Sequence, residues 1–82
     1  MNQERLQLKG QIADVEHEIR GLDIQISGSI VLIRNYLNPY EEDVTRLKVQ
    51  EALVEMSRLA EMHTKMVSLK SRLGLLKDML NG

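Results

Sequence analysis

From Leu8 onward the apolar residues fall at Leu8, Ile12, Val15, Ile19, Leu22, Ile26, Ser29, Ile33 and Tyr36, in steps that alternate between four and three. Ser29 is the one small polar residue in that series. Steps of four and three keep one stripe of an α-helix facing a partner, the signature of a coiled-coil seam. The spacing predicts a helix over residues 2–37.

The same spacing returns in the second half. Leu59, Met62, Met66, Leu69, Leu73, Leu76 and Leu80 form one stripe. Nearer the middle, Val49, Leu53 and Met56 continue the apolar pattern, but the steps from Met56 to Leu59 to Met62 are both three. Two successive threes are a stammer, which overwinds a coiled coil locally. A second helix is expected over 44–80.

Between them lies Asn38-Pro39-Tyr40-Glu41-Glu42-Asp43, with the single proline of the chain. The residue before proline is pushed out of the α region, so the first helix ends near Leu37. Asn38 is a candidate cap for a helix beginning at Pro39, and Asp43 for one beginning at Val44. Residues 38–43, with Asn38, Pro39 and Tyr40 at their head, are the expected turn. Glu41, Glu42 and Asp43 would then sit near a positive helix N-terminus.

The two stripes can be laid against each other. Leu8 with Leu73, Ile12 with Leu69, Val15 with Met66, Ile19 with Met62 and Leu22 with Leu59 share one register. Ile26 with Met56, Ser29 with Leu53, and Ile33 with Val49 follow one residue out of step. This register centres on the predicted turn. The fold class expected is therefore all-α: one antiparallel two-helix coiled-coil hairpin spanning 1–82, expected to dimerise into a four-helix bundle. Gly10, Gly21, Gly28 and Gly74 lie inside the helices and weaken them. Ser27-Gly28-Ser29 is the softest point, and a close approach of another backbone is the favoured reason for it over a kink.

The dimer expectation comes from apolar residues off the seam. They include Ile24, Ile30, Val31, Leu32, Leu37, Leu47, Val54, Val67, Leu75 and Met79. Between Ile30 and Leu37 the first helix is apolar on nearly all sides, and such helices are normally buried. Ile30, Val31, Leu32, Leu37, Leu47 and Val54 are the expected oligomer interface. A chain of 82 residues without cysteine has no disulfide to support a small core, which also favours self-association.

Charge and chemistry narrow the function. The 11 basic and 12 acidic residues leave a net charge of −1, with no bulk attraction for nucleic acid. No apolar run approaches the length of about 18 residues needed to span a membrane, and the N-terminal residues lack the apolar segment of a signal peptide. A cytoplasmic location is expected. His17 is flanked by Glu16 and Glu18, but consecutive helical residues point 100° apart and cannot converge on one metal. His63 is expected in a flank ion pair with Asp23 or Glu16. No phosphate loop, serine elbow or cysteine nucleophile is present. No enzyme activity, cofactor, metal or small-molecule substrate is expected. A homo-oligomeric structural or adaptor module for protein–protein interaction is the function expected. Arg5, Lys9, Lys70, Arg72 and Lys77 gather toward the open end of the hairpin, and they leave a nucleic-acid accessory role as an alternative, beside a secretion-needle-like filament subunit.

Three short stretches carry a resemblance: Arg5-Leu6-Gln7-Leu8-Lys9-Gly10, Ile19-Arg20-Gly21-Leu22, and Ile33-Arg34-Asn35-Tyr36-Leu37-Asn38-Pro39-Tyr40. Together they resemble a group of small uncharacterised proteins of Mu-like phages and prophages. The resemblance implies a bacterial host cytoplasm and a neighbourhood of early phage genes. It brings no activity and no catalytic residue. Secretion-needle subunits are hairpins of similar size, but their turns tend to carry two prolines and this turn has one.

Overall fold

The computed structural model describes residues 2–82. It contains two long helices, α1 (Asn2–Tyr36) and α2 (Val49–Asn81), and a single 3-10 turn at Val44–Arg46 between them. The helices pack side by side as a rod of 65 × 15 × 15 Å. The all-α hairpin expected from the spacing is the fold observed.

In α1 the seam is the expected one. Ile12, Val15, Leu22 and Ser29 are buried, while Leu8, Ile19, Ile26, Ile33 and Tyr36 are half-buried at the remaining heptad positions. In α2 the stripe from Leu59 to Leu80 is also as expected, with Met62, Leu69 and Leu76 buried. The turn-proximal part is not. Val49, Leu53 and Met56, expected in the seam, are 52%, 61% and 47% exposed. Ala52 is buried in their place and Glu55 is half-buried. Ala52, Glu55 and Leu59 continue the three-four alternation without a break, so there is no stammer. The phase of α2 is set by its long stripe from Leu59 to Leu80. A continuous helix carries that phase back onto Ala52 and Glu55, whatever their polarity.

The register also differs from expectation. Two contacts tie the helices to each other. The Lys48 N–H donates to the Tyr36 carbonyl at 3.1 Å, and the Lys77 ammonium pairs with the Glu16 carboxylate at 3.9 Å. With Ile12 opposite Leu69, Lys77 would lie about 18 Å along the axis from Glu16 at 1.5 Å per residue, beyond reach. Sliding α2 by one heptad reduces this to about 8 Å. Helical side chains slope toward their own N-terminus, so in an antiparallel pair these two slope toward each other and close the gap. The slide also matches the seams end to end, with Leu8 opposite Leu80, Ile12 opposite Leu76, Ile19 opposite Leu69, Ile26 opposite Met62, and Ser29 opposite Leu59. Tyr36 then faces Ala52, a large side chain against a small one. The expected pairs Leu8–Leu73, Ile19–Met62 and their companions are thus displaced by one heptad.

The turn is longer than expected because its polar groups close several small loops. Pro39 occupies the second position of a β-turn closed by the Glu41 N–H donating to the Asn38 carbonyl at 3.2 Å. The Asn38 side-chain oxygen accepts from the Tyr40 N–H at 3.0 Å. Asn38 therefore caps one turn and starts no helix. Asp43 does cap at Val44, but the element it starts is the 3-10 turn. Leu47 is extended, and Lys48 spends its N–H on Tyr36, so α2 begins at Val49.

Helix α1 runs unbroken through Ser27-Gly28-Ser29, and no other backbone comes close there. A Cβ added at Gly28 would meet nothing within 4 Å, and the same is true at Gly10, Gly21 and Gly74. The cost of these glycines in helix is therefore not repaid by packing within the hairpin. Ser29, by contrast, is buried with its hydroxyl unpartnered. We expect Gly28→Ala and Ser29→Ala each to stabilise the hairpin by about 1 kcal/mol. Urea unfolding followed by circular dichroism measures both, and a loss of stability in either variant contradicts this packing.

Candidate interaction surface

The hairpin offers flanks and ends rather than an enclosed cleft. The observed Glu16–Lys77 pair fixes which residues share a flank. Glu16 follows the seam residue Val15, and Lys77 follows Leu76. Other residues one place after a seam position line the same flank. In α1 these are Lys9, Asp23, Ile30 and Leu37, and in α2 they are Val49, Met56, His63 and Lys70. Leu53 lies one turn from Val49 and Met56 and shares that side. Residues one place before the seam, among them Leu32, Val54, Arg58, Lys65, Arg72, Leu75 and Met79, line the opposite flank. Val31 points away from the seam.

The six residues expected at an oligomer interface thus do not form one surface. Ile30 and Leu37, 43% and 41% exposed, lie on the first flank. Leu32 and Val54 lie on the other, and Val31 lies on the back of α1. Leu47 is half-buried in the turn. Counting apolar residues found Ile30 and Leu37 as surface anchors. It missed Val49, Leu53 and Met56, because their spacing read as seam.

The basic residues proposed for nucleic acid divide in the same way. Lys9, Lys70 and Lys77 share the first flank, where an open groove is lined by Glu16, Ile19, Arg20, Lys70, Leu73, Gly74 and Lys77. Arg72 is on the opposite flank. Lys77 is already paired with Glu16, so the cationic field of this groove is partly cancelled. Arg5 lies nearer the open end.

Among the described residues no three His, Cys, Asp or Glu side chains come together in a metal-binding group. His17 and His63 are exposed, and neither joins an ion pair among those residues. The expected His63 pair with Asp23 or Glu16 is not formed. In the observed register His63 lies beside Asp23 and well away from Glu16. Among the described residues no helix is long and apolar enough to cross a membrane.

One acid has a defined electrostatic role. Asp43 accepts from the Thr45 hydroxyl at 2.6 Å and from the Thr45 N–H at 3.0 Å. Both bonds favour the charged form and hold its carboxyl below the usual aspartate value. Arg46 stands 3.8 Å away.

Compared with protein families, curated proteins and solved structures, the chain matches none.

A depressed carboxyl stabilises the fold above the unfolded-state pKa and loses that contribution as pH falls through the folded value. We expect Asp43 to titrate below a typical aspartate in a carboxyl-detected NMR titration, and Thr45→Val to move it back up. An unchanged titration in Thr45→Val contradicts the cap.

Proposed function

We propose that this chain is a non-enzymatic helical-hairpin module that associates with itself and serves as a structural or adaptor element in protein–protein interaction. The observation that carries the reading is the amount of apolar surface left to solvent. Ile24, Ile30, Val31, Val49, Leu53, Val54 and Val67 all exceed 40% exposure, while seven side chains among the described residues form the buried apolar core. The total accessible surface is 6637 Å² for 9.4 kDa. A compact monomer of that mass exposes about 5,000 Å². The rod therefore has area to spare for association, and a dimer packed as a four-helix bundle would cover part of it. The resemblance to small proteins of Mu-like phages supports a setting in a bacterial host cytoplasm among early phage genes.

A nucleic-acid accessory role is the second reading, because Lys9, Lys70 and Lys77 share one flank. The two readings differ in salt dependence. Phosphate contacts release counterions, so affinity for nucleic acid falls steeply as salt rises, whereas apolar association does not.

Sedimentation equilibrium at micromolar concentration should give a dimer or larger species that persists in high salt. A monomer across that range contradicts the self-association reading.

A further inference from the structure

A second heptad stripe runs along α2 beside the seam. Val49, Leu53, Met56 and Ala60 step by four, three and four, the spacing that marks a helix face packed against another helix. Inside the hairpin this stripe is not packed, since Val49, Leu53 and Met56 are 52%, 61% and 47% exposed. On the facing helix, Ile30 and Leu37 lie on the same flank at a similar height. The five large apolar side chains form one continuous patch on the turn-end half of the rod. On the opposite flank the apolar side chains at this height are only Leu32 and Val54, beside the charged Glu51 and Arg58.

We propose that this flank, built from Ile30, Leu37, Val49, Leu53 and Met56, docks a second copy of the chain in antiparallel orientation about a two-fold axis. The inference rests on the self-association proposed above and assigns its face and direction. Area supports a second copy as the occupant. The hairpin exposes about 1,600 Å² more than a compact monomer of its mass, and a standard interface hides about 800 Å² on each partner. One further hairpin laid along the flank fits within that excess. A two-fold contact also uses the same patch on both copies, so one stripe serves both sides.

Charge sets the direction. The tip of the hairpin carries Glu41, Glu42 and Asp43. In a parallel pair the two acidic tips would lie together. In an antiparallel pair the two tips lie on opposite sides of the two-fold axis, and like charges separate. Val31 and Val54 stay outside this interface.

The test compares the parent with Leu53→Asp, Met56→Lys and Val31→Asp by sedimentation equilibrium, with the helical circular-dichroism signal as a check on folding. Leu53 and Met56 are solvent-exposed within one hairpin, so their variants keep the helical signal. Each should weaken dimerisation by roughly a hundredfold or more, because an unpaired charge becomes buried at the contact. Val31→Asp should leave it unchanged. A dimer insensitive to Leu53→Asp and Met56→Lys but lost in Val31→Asp overturns the face and leaves self-association standing. A monomeric parent overturns both. Direction is read from a spin label at Ser71→Cys in the parent dimer. The antiparallel arrangement gives a label separation of about 50 Å from the helical rise. A separation under about 25 Å overturns it in favour of the parallel pair.

Discussion

The phase of one helical stripe governs this structure. Leu59, Met62, Met66, Leu69, Leu73, Leu76 and Leu80 hold α2 against α1, and a continuous helix leaves no freedom to change phase near the turn. Ala52 and Glu55 therefore enter the seam although larger apolar residues stand beside them. The cost is local: at its turn end the seam holds a methyl group and a carboxylate that reaches Arg58 at 3.8 Å. Tyr36 opposite Ala52 offsets part of it by pairing a large side chain with a small one.

That constraint produces the surface chemistry. Once Ala52 and Glu55 occupy the seam, Val49, Leu53 and Met56 must face solvent, next to Ile30 and Leu37. The hairpin is thus apolar along one flank at its turn end and charged along the same flank at its open end. The turn adds an acidic tip, in which Asn38, Glu41 and Asp43 accept backbone N–H bonds of their neighbours. The glycines of α1 make no compensating contacts, so α1 draws its stability from the seam rather than from its own propensity.

The hairpin itself was legible in the sequence, because steps of four and three leave few alternatives to a seam and Pro39 leaves few to a turn. All nine seam positions of α1 were legible, Ser29 included, since the heptad passes through it. Ala52 and Glu55 were not, because a search for large apolar residues skips a small one and an acid. Val49, Leu53 and Met56 filled the gap, and a spurious stammer followed. Register failed for a different reason. A heptad pattern matches itself after every seven residues, so pattern alone cannot choose between Ile19 opposite Met62 and Ile19 opposite Leu69. The deciding contacts, Tyr36 with Lys48 and Glu16 with Lys77, involve a backbone carbonyl and a flank ion pair that hydrophobic counting does not register. The start of α2 was missed because Asp43 caps a 3-10 turn, and the Lys48 N–H is taken by the end of α1.

The central claim is an unbroken seam in the shifted register, and methyl-to-methyl nuclear Overhauser effects test it most directly. In methyl-labelled protein, diluted so that contacts within one hairpin dominate, Ile19 should show cross-peaks to Leu69, and Ile12 to Leu76. Cross-peaks from Ile19 to the Met62 methyl and from Ile12 to Leu69, with those pairs absent, would contradict the account.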